Sequence, residues 1–89
     1  MSDLYVFSKN NGLSQEFKLC NKIKVFRAEF NLTQSELGNL IGVTRQTISV
    51  LEQGLQAPSL PLAVKMACVF NKKIEDIFYY EEEEKWKNF

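Results

Sequence analysis

Histidine is absent from all 89 residues, and with it go the commonest general base and the commonest metal ligand. No Ser–His or Cys–His pair can form to activate a nucleophile. The two cysteines, Cys20 and Cys68, are far apart and belong to no Cys-x-x-Cys pattern. Alone they cannot build a structural zinc site. They read as two reduced thiols, with a redox switch or an intersubunit disulfide as the sharper alternative. A glycine-rich phosphate loop is missing too. These gaps set enzymatic chemistry aside and imply no metal, no cofactor and no small-molecule ligand.

Charge is the chemistry that remains. The formal net charge is zero, which at first sight argues against a polyanionic partner. Its distribution says otherwise. Between Phe17 and Ile74 there are eight bases, including Lys22, Lys24, Arg27 and Arg45, against three acids, a balance of +5. Between Glu75 and Glu84 there are six acids and no base. A basic middle is masked by an acidic tail, and nucleic-acid affinity follows the local field at the contact face rather than the whole-chain sum.

The elements that must position these charges are short helices. Ile23, Phe26 and Phe30 recur at spacings of three and four, which predicts an amphipathic helix over about 21–30. Asn31 follows and tolerates the left-handed conformation that ends helices. Thr33-Gln34-Ser35-Glu36 is a capping box. The second helix runs from it to about Ile41, with Leu37, Leu40 and Ile41 on one face, and Gly42 stops it. Thr44 is a good N-cap for a third helix, which turns Ile48 and Leu51 inward and ends at Gly54. Ser59 caps a fourth, with Pro61 tolerable in its first turn and an inner stripe of Leu60, Ala63, Ala67 and Phe70. A short fifth helix near Glu75–Ile77 buries Ile74, Ile77 and Phe78.

The chain length suits one domain. With no long apolar run and no basic, apolar leader at Met1–Phe7, the expectation is no membrane segment and a cytoplasmic location. The division expected is an N-terminal arm over 1–19, a helical domain over 20–78 and an acidic, aromatic tail over 79–89. In the arm, Leu4–Phe7 reads as a short strand, a dimer contact or a loose segment, and Ser14 as a weak cap. In the tail, Ile77–Tyr80 reads as a dimer contact or a strand, so the fold class is all-α with five helices and a possible short β addition at the termini. Glu81–Glu84 reads as a solvated run, or more sharply as a brake on non-specific DNA binding. Tyr79, Tyr80 and Trp86 could stack on bases, but they flank acids that repel phosphate. A core of this size is marginal and gains from dimerisation.

Two short helices joined by a glycine turn at Gly42-Val43 pack at a steep angle, and Gly38 sits where they cross. These features are individually weak and specific together. The stretch Leu32-Thr33-Gln34-Ser35-Glu36-Leu37-Gly38, then Ile41-Gly42-Val43-Thr44-Arg45-Gln46-Thr47-Ile48-Ser49, then Leu51-Glu52-Gln53-Gly54 and Pro58-Ser59-Leu60 resembles the phage repressor and Cro type of helix-turn-helix, the Xre family. The similarity spans about Cys20 to Phe78. It departs at Gly38, where that family usually has alanine, and at Asn31, where it often has glycine.

The resemblance implies a homodimeric, sequence-specific transcriptional regulator of repressor type. Its third helix, about 44–53, would enter the major groove of double-stranded DNA at a roughly palindromic operator. Carried over position by position, Arg45 and Gln46 become the main base readers, with Thr44, Ser49 and Val50 near bases. Gln34, Thr47 and Gln53, with Lys22 and Lys24 as less specific cations, become phosphate contacts. Arg27 and Glu52 match a structural salt bridge between helices 1 and 3. An alternative use of the same fold is an antitoxin-like or accessory protein–protein module.

Overall fold

Five helices and a two-stranded sheet build the body seen in the computed structural model, which describes residues 19–81. In chain order they are β1 (Leu19–Asn21), α1 (Ile23–Glu29), α2 (Gln34–Ile41), α3 (Arg45–Glu52), α4 (Leu60–Phe70), α5 (Ile74–Ile77) and β2 (Phe78–Tyr80). The expected readings of Leu4–Phe7, Ser14, Glu82–Glu84 and Trp86 lie outside the described residues. No helix among the described residues is long and apolar enough to cross a membrane.

Side-chain capping fixes where the helices start. The Thr33 hydroxyl accepts the Glu36 amide at 3.0 Å, and the Glu36 carboxylate accepts the Thr33 amide at 2.9 Å, satisfying two donors at the start of a helix that lack intrahelical partners. Thr44 accepts Thr47 N–H at 3.2 Å, and Ser59 accepts Leu62 N–H at 3.3 Å. Asp76 accepts the amide of Lys73 at 3.2 Å to begin α5. Left-handed residues mark the ends: Asn31 at φ 56° after α1, Gly42 at 84° after α2 and Asn71 at 53° after α4.

Ile23, Leu37, Ile48, Met66, Phe70 and Ile77 are almost wholly buried in one cluster, joined by Phe26, Ile41 and Leu51. Each such side chain gains about 1.5–3 kcal/mol on leaving water. Two residues expected inside stand outside. Leu40 is 59% exposed, because successive helical residues turn by about 100° and the stripe on α2 centres between Leu37, Gly38 and Ile41, leaving Leu40 beyond its edge. Leu60 is 70% exposed, because Ala63, Met66 and Phe70 set the buried face of α4 and Leu60 falls roughly a quarter-turn away. Phe30 also lies past the end of its helix and half in water, stacked on Phe70 at 6.0 Å between ring centroids.

The sheet closes the body by pairing its two ends. β1 and β2 run antiparallel with Leu19 opposite Tyr80, Cys20 opposite Tyr79 and Asn21 opposite Phe78. Leu19, read from sequence as the end of an arm, and Tyr79 and Tyr80, read as the start of a tail, therefore sit in the sheet. Asn21 ties the sheet to α1 and α3: its side-chain oxygen accepts Ile23 N–H at 3.1 Å, and its amide donates to the Leu51 carbonyl at 2.9 Å.

Candidate nucleic-acid interface

α2, the turn after it and α3 form a rigid elbow. Gly42 and Val43 both donate backbone N–H to the Gly38 carbonyl, at 2.8 and 2.9 Å, folding the chain back over α2. A Cβ on Gly38 would lie 2.5 Å from the Val43 carbonyl oxygen, so an alanine here would force the turn to shift. Ile48 and Leu51 anchor α3 to the core. Its opposite side is left outward: Thr44, Arg45 and Gln46 are exposed, and Thr47, Ser49 and Val50 are half-buried. The first turn of α3 carries no acid, so its free amides and Arg45 present uncompensated positive potential.

The polar groups beneath that surface form one network. Arg27 meets Glu52 in a two-pronged ion pair, Nε to Oε2 at 2.7 Å and Nη2 to Oε1 at 3.3 Å. Its remaining arm donates to the Leu32 carbonyl at 2.9 Å. The two side chains are 15% and 9% exposed, so the pair lies mostly out of water. Glu52 Oε1 also accepts the side-chain amide of Gln34 at 3.1 Å, and Gln34 Oε1 accepts Arg45 Nη1 at 3.5 Å. Residues from α1, α2 and both ends of α3 are thereby connected.

The other residues singled out from sequence fall into three groups. Thr44 and Thr47 face each other, hydroxyl to hydroxyl at 3.2 Å, at the start of α3. Gln53 donates its side-chain amide to Ser49 Oγ at 3.0 Å, at the far end. Lys22 stands apart from the elbow: its ammonium lies 5.8 Å from the Tyr79 ring centroid, on a surface shared with Glu75 and Asp76. Lys24 is exposed on α1. Sequence reasoning missed the Asn21 strut to the end of α3 and the ties of Gln34 to Glu52 and Arg45. An Asn just before an apolar-periodic run is a cap signal that pointed towards the first of these, whereas nothing local announces the second.

Comparison with known proteins agrees with this geometry. A family model described as helix-turn-helix matches residues 23–77. The chain belongs to the helix-turn-helix family, of the Xre type. It is similar to an HTH-type transcriptional regulator of Archaeoglobus fulgidus, 59% identical over 66 residues that cover 74% of this chain and 93% of that one. It is also similar to an HTH-type transcriptional regulator of Bacillus subtilis, 49% identical over 63 residues, covering 71% of this chain and 96% of its relative. Among solved structures it resembles a Bacteroides fragilis protein described as DNA-binding, with a TM-score of 0.62 at 32% identity, covering 67% of this chain and 97% of that one. This helix-turn-helix family is one of transcriptional regulators rather than enzymes.

Proposed function

We propose that this helix-turn-helix protein is a sequence-specific double-stranded-DNA-binding regulator that acts in the cytoplasm as a homodimeric repressor. The observation that carries the reading is the outward first turn of α3, where Arg45 and Gln46 are exposed above a face locked to the core. Arginine pairs with guanine O6 and N7 and glutamine with adenine N6 and N7, each good pair giving about 1–3 kcal/mol of discrimination. Thr44, Ser49 and Val50 take up positions beside the bases in this reading. Gln34, Thr47 and Gln53, with Lys24, contact phosphates and set register. Lys22, turned towards α5 and β2, is the weakest of the phosphate contacts.

The homodimer reading draws on large apolar side chains left exposed after α3 and at the start of α4. Leu55 and Leu60 are 72% and 70% exposed, and Leu55 borders a cavity of about 230 Å³ lined also by Leu51, Pro58, Phe78 and Tyr80. In this reading a second copy seats there, and the two α3 helices enter successive major grooves, roughly 34 Å apart on a palindromic site. In this arrangement the domain over 20–78 is completed by the sheet residues that flank it.

Fluorescence anisotropy on the protein's own upstream DNA and on a scrambled duplex, at two salt concentrations, tests the reading. Wild type is expected to bind the upstream DNA tightly, and Arg45→Ala/Gln46→Ala to keep only weak, salt-sensitive binding to both. Equal binding of wild type and mutant to both duplexes would overturn base readout by α3 and favour the protein–protein module.

A further inference from the structure

We propose that Asn21 is a positioning residue for base readout: through its side-chain amide the β1–β2 sheet holds the C-terminal end of α3 and sets the orientation in which Arg45 and Gln46 meet the bases. The inference rests on the DNA-reading function above. It extends that function to a residue outside the two helices of the elbow, one that touches no base in that reading.

Asn21 is fixed by its backbone and by both ends of its side chain. Lys22 N–H donates to the Ile77 carbonyl at 2.8 Å, and the alternation of an antiparallel ladder makes Cys20–Tyr79 the next hydrogen-bonded pair. Asn21, opposite Phe78, is clamped between the two. Its side-chain oxygen accepts the Ile23 amide at 3.1 Å, an Asx turn that satisfies one of the open donors at the start of α1. Its Nδ2 donates to the Leu51 carbonyl at 2.9 Å. That carbonyl also accepts the Gly54 amide at 3.0 Å, so both of its lone pairs are used in the last turn of α3. The Asn21 amide cannot flip, because its carbonyl would then face the Leu51 carbonyl and its NH2 group the Ile23 amide.

The tie matters because apolar packing is thin beside it. Leu19, Asn21, Phe78 and Tyr80 share one face of the sheet, and with Leu51 and Gly54 they border the cavity of about 230 Å³. Side chains around a void forfeit dispersion contacts on that side. A directional bond from Asn21 therefore restrains the end of α3 where close packing does not. Without it, α3 has to be ordered on the DNA, and part of the base-pairing energy is spent on that.

The experiment uses the full chain and duplexes selected by wild type from a randomised pool, followed by affinities for every single-base variant of the selected half-site. Asn21→Ala removes both side-chain bonds. Asn21→Asp keeps an oxygen for the Ile23 amide but turns an acceptor towards the Leu51 carbonyl, so the start of α1 stays capped and the tie to α3 is lost. Both variants are expected to cut discrimination by roughly 2- to 10-fold, the worth of one net hydrogen bond. The cut should appear together at the base pairs that Arg45→Ala and Gln46→Ala relax singly, since a whole helix is loosened. Discrimination is a ratio of affinities for two duplexes, so the charge added by Asn21→Asp cancels from it. Asn21→Ala should keep the wild-type affinity for a scrambled duplex. Tyr79→Gly weakens the strand that holds β1 at a residue 41% exposed; it should relax the same base pairs more mildly and add nothing in an Asn21→Ala background. Circular dichroism melts set an assay temperature at which every variant is folded.

A loss in Asn21→Ala that is absent in Asn21→Asp would assign Asn21 to the stability of α1 and overturn the positioning role. Unchanged discrimination in both, an equal loss of Asn21→Ala on the scrambled duplex, or no effect of Tyr79→Gly would overturn it too. In each case base readout by Arg45 and Gln46 stands. Failure of wild type to select any sequence would overturn the DNA-reading function and this inference with it.

Discussion

Glu52→Ala should be among the most damaging single substitutions at the elbow, and its cost can be worked from the structure. Breaking one partner of a fully buried ion pair costs about 3–5 kcal/mol, and an exposed pair is worth about 0–1 kcal/mol. With side-chain exposures of 15% and 9%, Arg27–Glu52 lies near the buried end, discounted for its residual contact with water. The substitution leaves Arg27 Nε and Nη2 and Gln34 Nε2 without their acceptor. A loss of about 2–3 kcal/mol follows, and for a domain of this size a drop in Tm of roughly 10–20 °C. The assay is far-UV circular dichroism through thermal and urea unfolding, at matched protein concentration because a dimer makes Tm depend on concentration. Arg27→Met/Glu52→Met removes both charges together and should recover much of the loss, since apolar replacement of such a pair is often neutral. Singles and double should then differ from additivity by about 1–3 kcal/mol. A Glu52→Ala loss below about 1 kcal/mol, or additive losses in the double variant, would refute the reasoning.

Thr33→Ala removes the hydroxyl that accepts the Glu36 amide and should cost about 1 kcal/mol in urea unfolding; an unchanged midpoint would show that the capping box contributes nothing. Gly38→Ala gains about 1 kcal/mol of helix propensity but drives a methyl to 2.5 Å from the Val43 carbonyl, an overpacking that costs about 1–3 kcal/mol. The net expectation is a small loss, and a stabilised variant would mean that the turn relaxes freely. Leu55→Asp/Leu60→Asp should shift the sedimentation of the protein towards monomer and weaken operator binding while leaving the melt of dilute protein nearly unchanged. Retained dimers would exclude that face as the interface.

The parts of this fold that sequence reveals are those whose causes are local. At Thr33, Thr44 and Ser59 the capping oxygen and the amide it satisfies lie three residues apart, so the pattern is visible in a window of four. Gly42 and Asn31 announce helix ends through their backbone freedom, and both adopt positive φ. Helical periodicity located the buried stripes but not their edges, which is why Leu40 and Leu60 were expected inside. Which edge is covered depends on the neighbouring helix, and a single helix carries no record of it. Strands of three residues are too short to show alternation, so the pairing of Leu19 with Tyr80 came into view only with the fold. The site divides the same way. Arg45 and Gln46 stand out because the motif places them at the start of α3, whereas the bridge from Gln34 to residues 45 and 52 joins side chains that only the packed elbow brings together.

Apolar and polar restraints act on different motions of α3. An eight-residue helix has little stability of its own, so its position comes from its surroundings. Ile48 and Leu51 set how deeply it sits, but hydrophobic contact is non-directional and leaves rotation about the helix axis loosely determined. Hydrogen bonds are directional. They hold α3 at its C-terminal end, through Asn21 to the Leu51 carbonyl and through Arg27 and Gln34 to Glu52. A rotation of roughly 20° at a side-chain radius of about 5–6 Å moves an outward group by about 2 Å. That exceeds the span of about 0.5 Å over which a hydrogen bond keeps its geometry. In the proposed reading, the polar ties set which atoms α3 reaches on a base edge, and the apolar ones set that it faces the groove at all.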